Sequence, residues 1–275
     1  MTDTARTRAH PPETTEGWYV FHQVLRWNRP VLRTLPGSAC ADALPVLRAL
    51  AEPTCGGWSA VVPLTGSRAD VMFMHFRPTL DDIAVAQRAV ASLVLCDALE
   101  VVYTFLSVTE AGLYHASAEL AAEATTRGGV VGDEPYRAAM AERVARERES
   151  AHVQRRLFPQ QPPEMPYVCF YPMSKRRTVG QNWYALSLEE RSRLMMAHGA
   201  TGRGYAGRVS QVISGAIGLD AWEWGVTLFA GDPLSFKKIV TDMRFDEVSA
   251  EYAEFGEFYV GKRCPVDEWL ATLSP

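Results

Sequence analysis

The residues best suited to chemistry lie close together in the sequence. Between positions 167 and 215 the chain carries a phenol at Tyr171, an amine at Lys175, an imidazole at His198 and an amide at Gln211. A neutral imidazole can ligate a metal, and a phenol can be oxidised at a redox site. An amine beside that phenol could bind a carboxylate or supply a proton. This collection of groups is unusual for an ordinary core.

The imidazole of His198 has two interpretations. A lone histidine on an apolar helix face is more often a core residue or a partner of the helix dipole than a metal ligand. No second His, Cys, Asp or Glu is spaced to complete a zinc or non-haem iron site with it. If His198 does bind a metal, a single imidazole points to haem, because the porphyrin supplies the four other ligands.

Further polar residues are candidates for binding an anion. Arg203 follows one predicted helix, and Arg244 follows another, with Ser249 shortly after it. Fixed guanidinium groups would suit a ligand with several carboxylates. For each residue alone, a plain surface role is equally compatible with the sequence. Arg156 precedes a proline-rich stretch and is uninformative by itself.

A predicted strand positions the phenol and the amine. The apolar run begins at Tyr167, and Pro172 with the cations that follow is expected to end it. Tyr171 and Met173 alternate along the chain, so they should share a face of the sheet. Lys175 continues that alternation. Ordinary strand packing would give the same pattern.

A predicted helix positions the imidazole. Ser187 and Glu190 form an S-x-x-E capping box at its start, and Gly199 and Gly202 are expected to stop it. A second strand, over roughly 205–214, carries Gln211. The result is one strand–helix–strand unit that presents all four groups.

The same order of elements occurs twice along the chain. The first half shows the order β-α-β-β-α-β, with elements predicted at 18–27, 38–51, 58–64, 70–76, 79–93 and 101–110. The second half repeats it, at 167–173, 187–199, 205–214, 222–230, 232–242 and 254–261. Two ferredoxin-like units in tandem predict an α+β fold whose sheets form a dimeric α+β barrel. We expect a disordered or loosely docked tail over 1–16, an N-terminal half over 17–114, a helical and proline-rich connection over 115–166 and a C-terminal half over 167–275.

Composition excludes several classes of protein. The net charge of −4 argues against a nucleic-acid binder that depends on positive charge. No segment reaches the run of about 18 apolar residues needed to cross a bilayer, and the N-terminus lacks the apolar core of a signal peptide. Five dispersed cysteines suggest reduced thiols and a cytoplasmic protein. There is no P-loop, no dinucleotide-binding fingerprint and no hydrolase or metalloprotease motif.

Several long motifs resemble a known family. They are YVCFYPMSKRR, NWYALSLEERSRLMMAHGATGR, YAGRVSQVISGAIGLDAWEWGVTLFA and MRFDEVSAEYAEFGEFYVGK. In order and spacing these segments resemble the chlorite dismutase-like superfamily, in its coproheme decarboxylase subgroup from Gram-positive bacteria. The resemblance is dense from 156 to 262 and looser in the N-terminal half. It implies two fused ferredoxin-like halves, commonly assembled as a homopentamer, with iron coproporphyrin III bound in the C-terminal half.

The resemblance also implies a reaction and partners. The enzyme would remove two propionate carboxylates oxidatively with hydrogen peroxide, through a three-propionate intermediate, to give haem b. A transient contact with the ferrochelatase that makes coproheme is implied as well.

Each site residue then acquires an expected role. His198 would be the proximal iron ligand, Tyr171 the radical that attacks a propionate, and Lys175 its helper at the second propionate. Gln211 would lie over the iron on the distal side, and Met173 would line the pocket. The residues expected to hold propionates are Arg156, Arg203, Arg244 and Ser249. Arg155 is an alternative to Arg156, because the linker before Tyr171 is slightly longer than the family pattern.

Three other functions remain open from the sequence. A true chlorite dismutase places an arginine over the iron, so Gln211 makes chlorite chemistry the weaker enzyme interpretation. A non-catalytic porphyrin-binding protein would keep the pocket without the reaction. A cofactor-free α/β-barrel monooxygenase would leave His198 as a core residue.

Overall fold

A computed structural model describes residues 10–273 of the chain. Within that range the strands are β1 (Thr14–Trp27), β2 (Trp58–Pro63), β3 (Val71–Arg77), β4 (Leu99–Gly112), β5 (Tyr167–Lys175), β6 (Val209–Gly215), β7 (Trp224–Ala230), β8 (Ala253–Phe255) and β9 (Tyr259–Lys262). The helices are α1 (Arg29–Leu32), α2 (Ala39–Ala51), α3 (Leu80–Ala91), α4 (Tyr114–Thr126), α5 (Glu134–Glu149), α6 (Ala151–Leu157), α7 (Leu188–Arg203), α8 (Leu234–Arg244), α9 (Glu247–Tyr252) and α10 (Val266–Ala271).

The strands form one antiparallel sheet in the order β2-β3-β1-β4-β6-β7-β5-β8, and β9 pairs with β5. Each half therefore has the ferredoxin-like strand order, and the predicted α+β fold of two tandem units is confirmed. The halves join where Val108 pairs with Gly215 and Thr109 with Ser214. Isolated bridges also connect β2 and the loop after it to β9 and the residues that follow, so the two outer edges of the sheet meet.

Alternate side chains of each strand point to opposite faces of the sheet. The inner face buries an apolar cluster drawn from both halves, with Val20 and Phe105 from one and Phe170 and Phe229 from the other. The halves thus share one core.

The outer face of the N-terminal half is covered by helices. Leu47 of α2, Phe73 of β3 and Trp269 of α10 belong to one buried cluster there. The last helix, α10, packs against α2. It lies within the expected C-terminal segment 167–275 but covers the N-terminal half.

The outer face of the C-terminal half is covered mainly by α8. Phe236 and Ile239 of α8 pack on Tyr171, Val226 and neighbouring apolar residues of the sheet. Helix α7 does not contribute to this cluster within the described residues. Its own buried residue Leu194 packs instead with Trp183 and α9. Helix α7 therefore lies beside this face without filling it.

Several sequence-based boundaries were wrong. Pro172 does not end the first strand of the site, because β5 continues to Lys175. Along one edge, β5 pairs with β9 as far as Phe170 and with β8 from Met173 onward. Pro172 lies between these two ladders. Because no ladder hydrogen bond is needed there, the missing N–H of the proline is tolerated.

Helix α7 also runs past both of its expected stops. It continues through Gly199 and Gly202 to Arg203, because neither glycine adopts the positive φ that ends a helix. The expected cap at its start is present in part. The Ser187 hydroxyl accepts from the Glu190 N–H at 3.1 Å, but the Glu190 carboxylate pairs with Arg193.

At the ends of the chain the boundaries shift again. Strand β1 begins at Thr14, inside the expected tail over 1–16, and the first nine residues of that tail lie outside the described residues. The expected last strand at 254–261 is divided into β8 and β9.

Candidate functional site

The imidazole of His198 is held by a carboxylate. Its Nδ1 lies 3.0 Å from Oδ2 of Asp246, and the His198 side chain is 29% exposed. Burial alone would raise the pKa of Asp246, but the hydrogen bonds from His198 and Ser249 outweigh it, so the pKa lies below its ordinary value. An ionised carboxylate can only accept, so Nδ1 must donate. The Nε2 lone pair of His198 therefore remains available to a metal.

Asp246 has a second, local role. It is the N-cap of α9, where its Oδ1 accepts from the backbone N–H of Ser249 at 3.2 Å. The Ser249 hydroxyl donates to Oδ2 of the same carboxylate at 3.2 Å. Ser249, expected to hold a propionate, is thus buried and bonded to Asp246. A carboxylate, an imidazole and a helix cap form one unit, and a carboxylate bonded to an imidazole is a common way to orient a ligating histidine.

Tyr171 lies in an aromatic pocket. Its ring stacks on Phe258 at 4.3 Å between centroids and tilts against Phe255 at 5.9 Å. The guanidinium of Arg244 lies 3.6 Å above the Phe255 ring. Burial raises the pKa of Tyr171 far above its ordinary value, and the charge of Arg244 opposes this only weakly. The phenol therefore stays protonated at neutral pH, with Arg244 nearby.

Lys175 is buried although it carries an amine. It is 9% exposed, and its Nζ lies 4.5 Å from the centre of the Trp183 ring. Burial lowers its pKa to about 8, while the charges of Asp246 and Glu223 act in the opposite direction. At neutral pH the amine remains mostly protonated. Lys175 is thus a buried cation close to the carboxylate that holds His198.

Strand register brings two more expected residues, Met173 and Gln211, to the face of Tyr171. Tyr171 and Met173 both pack in the outer cluster, so the prediction that they share a face is confirmed. Through β7, Tyr171 lines up with Ile213 of β6, and Gln211 is two residues away on the same face. A Cβ on Gly202 would lie 3.5 Å from the Gln211 amide nitrogen, so this exposed side chain reaches toward α7.

The remaining arginines lie at the periphery. Arg203 is the last residue of α7 and is exposed. Arg156 is exposed on α6, and its charge acts on Glu110, whose pKa is raised by burial. Glu110 accepts from the indole N–H of Trp224 at 2.8 Å, and Trp224 pairs with Met173. Arg156 therefore connects to the site face through Glu110 and Trp224.

A cavity of about 500 Å³ opens beside Lys175. Its other lining residues come from the end of β5 and the loop after it, from the loop before β7, and from β8. They are Ser174, Arg177, Thr178, Ala221, Trp222 and Glu254. Tyr171, His198 and Gln211 do not line it. The cavity thus lies at one end of the site.

Sequence reasoning missed the residues that hold the site together. Asp246, Glu223 and Trp183 contact His198 or Lys175 from 8 to 48 positions away along the chain. The D-E-V-S capping pattern at Asp246 marks the start of α9, but nothing in the sequence indicates that the same carboxylate reaches His198.

These residues fit an iron porphyrin. A flat, apolar, multiply carboxylated ligand needs an axial imidazole, an apolar surface and cations at the rim. His198 has a free Nε2, the sheet face offers apolar and aromatic side chains, and α7 does not fill that face. Lys175, Arg203 and Arg244 provide cations around it. Within residues 10–273, no group of three or more His, Cys, Asp or Glu is arranged to hold a metal ion.

Comparison with known proteins identifies the family. The chlorite dismutase family model matches residues 40–264, so the chain belongs to that family. A coproheme decarboxylase from Staphylococcus saprophyticus is 39% identical over 256 residues, which cover 91% of this chain and 93% of the relative. A coproheme decarboxylase from Thermus thermophilus is 41% identical over 258 residues, with 92% of each chain covered.

Solved structures agree with the family. A haem-binding protein from Thermus thermophilus superposes with a TM-score of 0.79 at 39% identity, covering 98% of this chain and 100% of that one. The chlorite dismutase of Candidatus Nitrospira defluvii, solved with imidazole, gives a TM-score of 0.69 at 19% identity and covers 94% and 96%. At that identity the second likeness establishes the fold alone. Across the described residues, no helix is long and apolar enough to span a membrane.

Proposed function

We propose that this chain is a coproheme decarboxylase, an oxidoreductase that converts iron coproporphyrin III to haem b with hydrogen peroxide. The observation that carries the proposal is the arrangement of one face. A carboxylate-bound imidazole with a free Nε2, a buried protonated phenol and a buried unpaired amine surround the outer face of the C-terminal sheet. The names of the relatives, at 39 to 41% identity over most of the chain, support the same activity.

His198 would hold the iron through Nε2, and Asp246 would fix the orientation of its ring. When bound, the iron porphyrin supplies the redox chemistry. The protein supplies position and charge, which matter because the reacting phenol must lie close to one carbon of the substrate. Gln211, which extends from the sheet toward α7, would act on the peroxide side of the porphyrin.

Tyr171 would carry out the step on the propionate. Because its phenol is protonated, it loses an electron and a proton together and becomes a radical, which takes hydrogen from the propionate β-carbon. Loss of a second electron and of carbon dioxide leaves a vinyl group. Each propionate consumes one hydrogen peroxide and one proton and yields one carbon dioxide and two waters. Phe255 and Phe258 would exclude water around the radical.

Lys175 would bind the carboxylate of the second propionate. The first decarboxylation leaves the three-propionate intermediate, and the second propionate must then reach the same tyrosine. Two other tyrosines lie in or against this cluster, but the Tyr205 hydroxyl is bonded to Asp242, and Tyr167 is only half-buried. Tyr167 also lies at the far end of β5 from Lys175, which leaves Tyr171 as the buried phenol near that amine on this strand. We therefore propose that the macrocycle reorients between the two steps. Met173 would line the pocket. The propionates would be held by Arg156 or Arg155, Arg203, Arg244 and Ser249.

Assembly and location belong to the same proposal. The family resemblance supports a homopentamer and a transient contact with ferrochelatase. All five cysteines are free thiols in the structure, which supports a reducing compartment such as the cytoplasm.

One competing function has an observation in its favour. The Thermus thermophilus structure is of a haem-binding protein, so a porphyrin carrier without the reaction is the second candidate. Such a carrier would need His198 and the rim cations but neither Tyr171 nor Lys175. Chlorite chemistry is less well supported, because Gln211 stands where a chlorite dismutase has arginine.

The deciding experiment is a titration of the coproheme-loaded protein with hydrogen peroxide, with the porphyrin mass followed by mass spectrometry. We expect two successive losses of a carboxyl group, with the three-propionate species as an intermediate. A bound porphyrin of unchanged mass would reject the decarboxylase and favour the carrier.

A further inference from the structure

The loop between β6 and β7 reaches the end of the strand that carries Lys175. Glu223, at the end of this loop, is only 7% exposed. Its carboxylate Oε2 accepts from the backbone N–H of Lys175 at 2.7 Å. Its own N–H lies 3.1 Å from the carbonyl of Met173 and 3.3 Å from the Ser174 hydroxyl. Glu223 thus contacts three consecutive residues of β5.

These contacts take the place of strand hydrogen bonds that β7 does not provide at the end of β5. The ladder between β5 and β7 ends where Met173 pairs with Trp224, two residues before β5 itself ends. On the other edge, β8 still pairs with Ser174 and Lys175. The N–H of Lys175 would lack a partner within the protein, and a buried unpaired N–H costs about 1–3 kcal/mol. The Glu223 carboxylate takes the place of the absent strand.

The amine of Lys175 is left free by this arrangement. Within residues 10–273, no side-chain or backbone oxygen forms a hydrogen bond with its Nζ, and no carboxylate lies within 4.0 Å of it. The ionisable groups around it are Asp246 at the start of α9 and Glu223 in the loop. Arg177, 3.8 Å from Glu223, and the buried hydroxyl of Tyr184 face the Glu223 carboxylate from its other side.

We propose that Glu223 is a positioning residue for Lys175, holding the end of β5 in register so that the ammonium stays charged and unpaired for a carboxylate of the substrate. This inference rests on the proposed function for the identity of that carboxylate. Glu223 does not touch the substrate. It acts through Lys175, by a hydrogen bond to its backbone and by the charge it places near its amine.

The first test uses the protein without porphyrin. The chain has four lysines, Lys175, Lys237, Lys238 and Lys262, so labelling lysine with ¹³C at Cε gives a short set of resonances to follow against pH. The Lys175→Arg variant identifies the resonance of interest. Glu223→Gln keeps an acceptor for the Lys175 N–H but loses the charge. In this variant the pH midpoint of the Lys175 resonance should fall by about one pH unit.

A matched control separates a local effect from a general change in charge. Glu164 is exposed and precedes the start of β5, at the opposite end of this strand from Lys175. Glu164→Gln makes the same change in charge and should leave the pH midpoint of Lys175 unchanged. Glu223→Asp, which keeps the charge, should titrate closer to the wild type than Glu223→Gln. Equal midpoints in the wild type and Glu223→Gln, or an equal shift in Glu164→Gln, would overturn the inference.

The second test uses the coproheme-loaded protein. Glu223→Gln should bind coproheme with an unchanged haem spectrum and accumulate the three-propionate species in neutral and alkaline solution, whereas Glu164→Gln should proceed as the wild type does. If the wild type fails to decarboxylate, the proposed function fails while the lysine titration still decides the link between Glu223 and Lys175. If the wild type reacts and the titration shows no link, only the inference fails.

Discussion

The two halves have the same strand order, but helices cover their outer faces to different extents. On the N-terminal half, α2, α3 and α10 close the face, and Trp269 of α10 packs 6.2 Å from Trp27 and edge-on to Phe73 at 5.5 Å. On the C-terminal half, α8 covers part of the face and α7 lies beside it, next to Tyr171 and Gln211. The N-terminal face is therefore closed by one more helix than the C-terminal face, which leaves room for a ligand on the C-terminal half.

Each half also buries a cation at the end of a strand, and the two cations differ in their partners. Arg77, at the end of β3, is 1% exposed and donates to the carbonyls of Leu50, Trp58 and Phe76 and to the Ser59 hydroxyl, at 2.8 to 2.9 Å. Lys175, at the end of β5, is 9% exposed and has an aromatic ring but no acceptor for its Nζ in the described part of the chain.

The difference indicates which cation is structural. Arg77 links the end of α2 to β2 and β3, where the negative end of the helix dipole helps to balance its charge. A buried charge without a partner costs free energy, so Lys175 destabilises the protein unless a ligand supplies its counter-charge. This cost falls on the face where we propose that the substrate binds.

The largest effect should come from the phenol. Tyr171→Phe should bind coproheme but lose decarboxylation by on the order of 10³-fold or more, because no group replaces the lost O–H. The measurement is single-turnover conversion followed by mass spectrometry. Tyr205 is the control, since it is buried in the same cluster with its hydroxyl bonded to Asp242. Tyr205→Phe should turn over, and normal turnover by Tyr171→Phe would reject the radical assignment.

Replacing the structural cation should damage the fold but not the site. Arg77→Met removes the donor from two buried carbonyls, a part-buried one and the Ser59 hydroxyl, so the free energy of unfolding should fall by about 3 kcal/mol or more. Affinity for coproheme should be unchanged in protein that remains folded. Guanidinium unfolding and a spectroscopic titration measure the two quantities. Arg48→Met removes an exposed ion pair with Asp267 and should change stability by less than about 1 kcal/mol.

Replacing Lys175 should have the opposite effect on stability. The pKa of Lys175 is lowered from 10.5 to about 8 in the folded chain. Between these values the unfolded chain binds more protons, so wild-type stability should rise as pH increases through that window. Lys175→Met should therefore be more stable than the wild type by about 3 kcal/mol below pH 8, with the gap closing toward pH 10.5.

The same variant should stall at the three-propionate intermediate. Lys262→Met is its control, because this exposed lysine also lies over an aromatic ring, Tyr167, at 5.8 Å. The stability of Lys262→Met relative to the wild type should not vary between pH 8 and pH 10.5. If Lys175→Met were less stable than the wild type at pH 7, the contrast with Arg77 would be lost.

Local patterns account for what the sequence could predict. Alternation along β5 placed Tyr171 and Met173 on one face, and the repeated order of apolar runs gave the tandem fold. Pro172 and Gly202 were misjudged because their usual effects depend on surroundings. The interrupted edge beside β5 tolerates the proline, and Gly202 fits against Met243 and Gln211 without leaving the helical conformation.

The contacts that organise the site could not be predicted in this way. His198 and Asp246 are 48 residues apart, and so are Lys175 and Glu223. Each pair forms only because the sheet and its helices bring distant loops together. Asp246 also satisfies a local requirement as a helix cap, and that local role conceals its distant one.

The smallest effect that we expect is also the one that isolates this distant role. Asp246→Asn keeps a good N-cap for α9 and an oxygen that can accept from His198, but it removes the negative charge. Loss of such a partner typically reduces metal affinity 10- to 100-fold, so coproheme should bind more weakly by about that factor, with a lower iron–histidine stretching frequency in the ferrous protein. Asp242→Asn, which affects only the Tyr205 hydroxyl, should change neither quantity. If Asp246→Asn left both unchanged, the carboxylate would be a cap alone, and the contrast between the two faces would rest on Lys175 and Tyr171.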